Sequence, residues 1–349
     1  MDENPLERAE SLPIEFPESG DEAEILAYLL RLAVLAPSSH NTQPWRFRLC
    51  GQVLELWADR SRQLAVVDPQ GRELTISCGA ALFYLQVAAR HYGYTGEAEL
   101  MPEPEQPDLL ARMRLGAPRP PSEDDQRMFH SLGRRRTRRA PFEPRVPDQA
   151  MLRRWEIAAA EEGAPLYFVP QARRRAVAEL VAEGDRRQGG DRRYRHELIK
   201  WIHSDSSERL DGIPLDAFGF EGLLAYLGPL LLGRVNWGGV QAKRDAQAVL
   251  DAPAVAVLAT DGDEPVDWMS TGAALARVTL LASAEGVYAG YLNQPIQVPE
   301  LRPRLAEALG VEYPQLLLRM GYGAEPPATP RRPVEEVLRF GAADDLIGS

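Results

Sequence analysis

The sequence predicts an α+β protein built from two tandem, unlike copies of one unit. Each copy is a mixed sheet flanked by helices, and a pseudo-twofold axis inside the chain relates them. Three observations carry this expectation. Ser77-Cys-Gly-Ala-Ala-Leu82 is matched 193 residues later by Ser270-Thr-Gly-Ala-Ala-Leu275, and Gly93 is matched at the same spacing by Gly286. Leu109-Leu-Ala-Arg-Met113 is echoed by Leu316-Leu-Leu-Arg-Met320. With 349 residues, 44% of them hydrophobic, the chain exceeds one typical core and has ample apolar content to bury. An internal copy of this kind is what a fused homodimer leaves behind.

Residues 1–21 are acidic and proline-containing and read as a flexible tail, without the basic start and apolar core of a signal peptide. Glu22 to Leu35 is helical in its spacing, apolar at Ile25, Leu26, Leu29, Leu30, Ala33 and Val34. A polar loop, Ala36 to Phe47, is pinned by Pro37 and Pro44 and returned to the core by Trp45 and Phe47. Phe47–Leu49 and Val53–Trp57 form a hairpin around Gly51-Gln52. Asp68-Pro-Gln-Gly71 is a turn by composition. Leu74 to Tyr92 is a second helix. Leu110 to Leu115 alternates, with Ala111, Met113 and Leu115 opposed to Arg112 and Arg114. A proline-rich linker, Ala117 to Ser122, divides a first half, 22–122, from a second, 123–349. The second half repeats helix and strand, from Asp148 through Trp155 to Ala160 and then Leu166 to Val169. It also carries an insert, 184–247, whose length marks it as a candidate helical lid.

Composition excludes several classes. A formal net charge of −11 argues against general nucleic-acid binding. Two distant cysteines, Cys50 and Cys78, make no disulfide framework, and a reducing cytoplasm is the expected compartment. The longest apolar stretch, Leu223 to Leu232, is shorter than a membrane span and is broken by Gly228 and Pro229. No phosphate-binding loop, Gly-x-Gly-x-x-Gly fingerprint, histidine metal spacing or Ser/His/Asp arrangement stands out.

The two copies differ where chemistry is expected. The first keeps the long loop with Ser38, Ser39, His40, Asn41, Thr42 and Gln43; the second shortens it to Glu161-Glu-Gly-Ala-Pro165. In return the second half opens with Arg134-Arg-Arg-Thr-Arg-Arg139, and a second basic pair, Arg331-Arg332, follows late. Five arginines in six residues repel one another unless an anion or carboxylates neutralise them, and guanidinium forks match phosphate oxygens. A solvated charged face is the alternative. Each half has kept what the other lost, so a single site made from both halves is expected.

Pro37-Ser-Ser-His-Asn-Thr-Gln-Pro-Trp45 resembles the flavin-facing loop of the nitroreductase superfamily. The chain length and later motifs resemble its Acg-like branch, in which one chain carries two nitroreductase-like halves. The resemblance implies a nitroreductase-like fold and FMN as cofactor. It implies that Arg135, Arg136, Thr137, Arg139, Arg331 and Arg332 hold the FMN phosphate, the last two standing before Pro333-Val-Glu-Glu-Val337. It places Pro37, Ser38, Ser39 and Asn41 along the isoalloxazine. Asn293 and Gln294, in Gly286-Val-Tyr-Ala-Gly-Tyr-Leu-Asn-Gln-Pro295, would lie near N5. His40 is a candidate proton donor, with a loop-stabilising hydrogen bond as the alternative. NAD(P)H would reduce the flavin by stacking on its face, without a Rossmann domain. The acceptor would be a small molecule such as a nitroaromatic or a quinone. A flavin-sequestering protein whose lid blocks turnover is the second reading, and an anion- or nucleic-acid-binding module the third. Because the duplication supplies the usual dimer interface, a monomer is the expected state.

Overall fold

The computed structural model describes residues 16–18, 20–203, 208–214 and 237–341. Helix α1 (Glu22–Ala33) begins at a capping box: Asp21 Oδ1 accepts from Glu24 N at 2.9 Å, and Glu24 Oε2 accepts from Asp21 N at 3.1 Å. There follow β1 (Trp45–Cys50), β2 (Val53–Ala58), α2 (Arg72–His91), β3 (Glu97–Leu100) and β4 (Leu109–Arg114). Then come α3 (Glu123–Ser131), α4 (Gln149–Glu161), β5 (Leu166–Phe168), α5 (Gln171–Gly190) and α6 (Arg192–Lys200). Short β6 (Ile202–His203) and β7 (Ile213–Pro214) precede α7 (Gly238–Asp251), β8 (Ala254–Thr260) and α8 (Pro265–Ala284). The chain continues through β9 (Tyr288–Tyr291), α9 (Gln294–Gln297), α10 (Arg302–Leu309) and β10 (Tyr313–Gly321) to α11 (Val334–Val337) and β11 (Leu338–Gly341). Helix α3 has no counterpart in the sequence expectation; Ser122, read there as the end of a linker, is its cap, in a reciprocal box with Asp125.

Two sheets repeat one another. The order β1-β2-β4-β3 in the first is matched by β5-β8-β10-β9 in the second, with every neighbour antiparallel in both. The first sheet has one strand more. β11 pairs with β1 in parallel, Phe47 opposite Leu338 and Leu49 opposite Phe340. Residues from the end of the second half thus complete the sheet of the first.

Helices α2 and α8 follow the second strand of each sheet and make the most extensive helix contact among the described residues. They meet backbone to backbone. A methyl group on Gly79 would collide with the carbonyl of Met269, and one on Gly272 with the carbonyl of Ile76. Gly79 and Gly272 are partners in the 193-residue repeat, and so are Ile76 and Met269. The contact is therefore the same patch used twice, as at a twofold axis. Around it, Leu54, Leu56, Leu82, Leu258, Leu275 and Leu318 join one continuous core fed by both sheets.

The outer faces differ. On β2, Leu54 and Leu56 turn to the core while Glu55 turns outward; Arg48 (2.7 Å), Arg112 (3.1 Å) and the Trp57 indole (3.0 Å) bind its carboxylate. On β8, Ala254, Ala256 and Leu258 face the shared core. Val255 and Val257 face a second cluster with Val177, Val181, Val249 and Leu305 from α5, α7 and α10. A strand covered on both faces reads as a continuous apolar run, and one covered on a single face alternates.

Of the expected insert, 184–190 end α5 and 238–247 begin α7, and these two helices pack together. Residues 204–207 and 215–236, with the apolar stretch Leu223 to Leu232, lie outside the described residues, as does most of the tail 1–21. Among the described residues no helix is long and apolar enough to cross a membrane. Cys50 and Cys78 are buried, and neither is in a disulfide.

The backbone contact at the pseudo-dyad leaves no room for a side chain. Gly272→Ala should lower the free energy of unfolding by about 1–3 kcal/mol, the usual toll of overpacking. A urea melt reads this, and a midpoint equal to wild type would refute the close approach.

Candidate functional site

The loop after α1 is held in a conformation its residues do not favour. His40, Asn41 and Gln43 take φ values of 50°, 53° and 49°. Such left-handed, non-glycine backbone costs about 1–3 kcal/mol per residue and persists where surroundings over-determine it. Here they do. Asn41 Nδ2 donates to Gly212 O (3.0 Å) and Pro330 O (3.1 Å). Gln43 Nε2 donates to Leu210 O (2.7 Å), and Gln43 Oε1 accepts from Arg332 N (2.8 Å). Ser38 Oγ accepts from Gln43 N at 2.9 Å. Arg62 donates to Thr42 O and pairs with Asp211. Pro37 is buried at the head of the loop.

Under the loop lies Glu73, a buried carboxylate at the start of α2. It accepts from Ser39 Oγ (2.6 Å), Gln297 Nε2 (2.8 Å) and Arg72 Nη2 (3.3 Å). Burial pushes the neighbouring His40 imidazole down to about 4; Glu73 opposes the shift and Arg139 adds to it. The ring is therefore uncharged at neutral pH. Its Nδ1 is buried with no hydrogen-bond partner.

The arginine run runs beside β9. Thr137 forms a parallel bridge with Ala289, and Arg138 N donates to Ala289 O at 2.8 Å. Arg135 is buried and comes close to Arg331, Tyr84 and Tyr291, with Arg136 and Arg139 nearby. Burial pushes Arg331 down to about 9; the charge of Arg135 adds to this, Tyr84 opposes it and Arg136 adds again. The Nε atoms of Arg135 and Arg331 are buried without a partner, while the Nη groups of Arg331 donate to Thr329 Oγ1 (2.7 Å), Pro330 O (3.1 Å) and Leu35 O (3.3 Å); the Tyr84 hydroxyl lies beside Arg135 and that of Tyr291 beside Thr137. The main charges acting on Arg331, Tyr84 and Tyr291 belong to arginines and tyrosines, with no carboxylate among them. Concentrated donors whose main neighbouring charges are other arginines suit a phosphate group.

Other members of the expected set point elsewhere. Arg332 donates to Glu336 Oε2 (3.1 Å) and Gln43 O (3.3 Å), away from the Arg135–Arg331 cluster. Asn293 Oδ1 accepts from Leu317 N at 2.9 Å. Gln294 Nε2 donates to Asp185 Oδ1 (3.1 Å) and Asp245 Oδ2 (2.9 Å). Both side chains are thus turned into the scaffold, and the carbonyls of 293 and 294 accept from Ile296, Gln297 and Val298 N. A surface cavity between Arg62, Leu210, Asp211, Arg332 and Glu336 includes neither Arg135, Arg331 nor His40 in its lining.

Sequence reasoning did not reach Glu73, Tyr84, Gln297 or the Asp185–Asp245 pair. Glu73 and Tyr84 flank the repeated Ser77-Cys-Gly-Ala-Ala-Leu82 patch, and that proximity was the available signal. Asp185 is 3% exposed, and burial followed by the charge of Asp245 pushes its carboxyl up to about 8, with Gln294 opposing. Asp185 Oδ2, Gln188 Oε1 and Gln294 Oε1 are three buried acceptors with no donor. A proton on Asp185 turns one of these acceptors into a donor.

No family model matches the chain. A Mycobacterium tuberculosis protein provisionally named an NAD(P)H nitroreductase is 32% identical over 326 residues, spanning 91% of this chain and 92% of its own length. A second protein of that organism, Acg, with the same provisional name, is 29% identical over 342 residues, 94% of this chain and 99% of its own. Among solved structures, the FMN-dependent nitroreductase NfnB of Mycobacterium smegmatis, in complex with NADPH, aligns with a TM-score of 0.42 and 18% identity over 62% of this chain and 98% of its own. A structure from Anabaena variabilis, provisionally described as a nitroreductase, aligns with a TM-score of 0.44 and 11% identity over 92% and 91%.

The acidic pair sets a pH dependence. An unfolded aspartate ionises near 4, whereas Asp185 in the fold stays protonated until about 8. Its stabilising contribution is complete below the unfolded pKa and drains away as pH rises through the folded one. Asp185→Asn, which cannot ionise, should therefore gain melting temperature relative to wild type between pH 5 and pH 8.5. A constant difference across that window would mean that Asp185 titrates as an ordinary surface carboxylate.

Proposed function

The chain belongs to the nitroreductase family, and from that premise we propose that it is an FMN-dependent oxidoreductase taking hydride from NADH or NADPH and delivering it to a small acceptor such as a nitroaromatic or a quinone. The observation that carries this reading is the cluster of Arg135, Arg331, Tyr84 and Tyr291, in which both arginine Nε groups are buried without a partner and the main charges acting on Arg331 are those of Arg135, Tyr84 and Arg136. Those residues fit the phosphate of FMN, with Arg136, Thr137 and Arg139 beside them.

Pro37, Ser38, Ser39 and Asn41 belong to the wall of the isoalloxazine, and the backbone at Asn293 and Gln294 to its N5 edge. FMN, when bound, supplies the two-electron redox chemistry. The chain supplies placement. Glu73 fixes the Ser39 hydroxyl and the Gln297 amide in one orientation each. The Asn41 side chain works at one remove, holding its loop to Gly212 and Pro330. His40, uncharged and with a buried ring nitrogen free of partners, is a hydrogen-bonding group for the ligand rather than a charged acid. Because the loop comes from one half and the arginines from the other, one chain makes one site, and a monomer is a sufficient functional unit.

One observation favours the second reading, flavin sequestration. Residues 210–212, part of the expected lid, are bonded to the loop through Asn41, Gln43 and Arg62. Adding NADPH to the FMN-loaded protein without oxygen separates the readings. Bleaching of the flavin band is the outcome expected of the oxidoreductase, and a persistent yellow colour would establish storage instead.

The arginine assignments are separable too. Losing one charged hydrogen bond costs about 1.5–3 kcal/mol. Arg331→Ala should therefore weaken FMN binding roughly 10- to 100-fold, and Arg332→Ala far less. Equal losses, or none, in a fluorescence titration would remove Arg331 from the phosphate site.

A further inference from the structure

Arg319 is 6% exposed on β10, and its guanidinium is spent on main-chain carbonyls of one short segment. Nη2 donates to Arg138 O (3.0 Å) and Arg139 O (2.6 Å), and Nη1 donates to Ala140 O (3.2 Å). Its plane also lies against Phe142, 4.8 Å from the ring centroid. One side chain thus clamps three successive residues at the end of the arginine run. To reach them it crosses β9 at Gly290, its cross-strand neighbour. A Cβ on Gly290 would lie 2.5 Å from Arg138 O and 3.1 Å from Arg319 Nε, so only glycine admits both the segment and the clamp.

The repeat shows that this use is particular to the second half. Arg112 is the equivalent residue in Leu109-Leu-Ala-Arg-Met113, and it binds carboxylates, Glu55 and Glu103, as an ordinary ion-pair partner. Arg319 has kept the position but donates its hydrogen bonds to carbonyls, with Asp245 near enough to act on its charge. A planar fork with several donors can hold consecutive carbonyls in fixed register; a lysine ammonium, a point charge on a flexible stem, cannot.

We propose that Arg319 is a positioning residue for cofactor phosphate: by fixing the backbone of 138–140 against β9 it sets where Arg135, Thr137 and Arg139 stand. The inference rests on the FMN reading above. It is tested on the full chain stripped of flavin, titrated separately with FMN and with riboflavin, which lacks the phosphate. Arg319→Lys should raise the dissociation constant for FMN about tenfold or more and leave that for riboflavin unchanged. Gly290→Ala, which keeps Arg319 but pushes the segment off, should give the same selective loss and stands in if the lysine variant does not fold. Unchanged FMN affinity in the folded variants, or equal losses for both flavins, would overturn the positioning role. A wild-type protein that binds riboflavin as tightly as FMN would instead overturn the phosphate reading itself, and this inference with it.

Discussion

Two helices that touch at Gly79 and Gly272 set the geometry of everything else. Because the approach is backbone to backbone, the separation of α2 and α8 is fixed by main-chain van der Waals radii rather than by adaptable side chains. Because the same patch is used from both sides, it also fixes their relative rotation. The inner faces of the two sheets then share a single core, and elements at the ends of either helix are carried to defined places. The start of α2 supplies Glu73 and Ser77, which hold the strained loop. The strand after α8 supplies the edge along which the arginine run lies.

Once the dyad is rigid, the two copies can diverge away from it. The first keeps a sheet with one polar face, sealed by Glu55 between two arginines and an indole. The second covers both faces with apolar side chains. The divergence at the site follows the same pattern. A loop with three left-handed residues remains in one half and the arginine cluster gathers in the other; among the described residues the second half has no left-handed non-glycine backbone.

The fold was largely legible because its signals are periodic or repeated. The spacing in Glu22 to Leu35, the turn at Gly51-Gln52 and the twinned Ser-x-Gly-Ala-Ala-Leu patches each map onto an element. Helix α3 was not legible because its nine residues are mostly polar and only Met128 and Phe129 give it an apolar side. The strand β11 was missed since a four-residue strand whose partner lies far away in sequence has no local mark. At the site, residue types could be read but directions could not. Arg331 and Arg332 are adjacent in sequence, yet one enters a buried cluster and the other turns to Glu336. Gln294 shows the same limit, since its partners Asp185 and Asp245 lie on helices that no local pattern could bring together.

The pairing of β11 with β1 has a consequence for biosynthesis. Residues 45–50 are made well before residues 338–341, the strand that completes their sheet. Until then β1 exposes an unpaired edge, a template for association with other nascent chains. The segment that closes this edge comes shortly after Arg331, so sealing the sheet and delivering that guanidinium go together in synthesis. A nascent chain stalled before that point would lack the closing strand and Arg331 together.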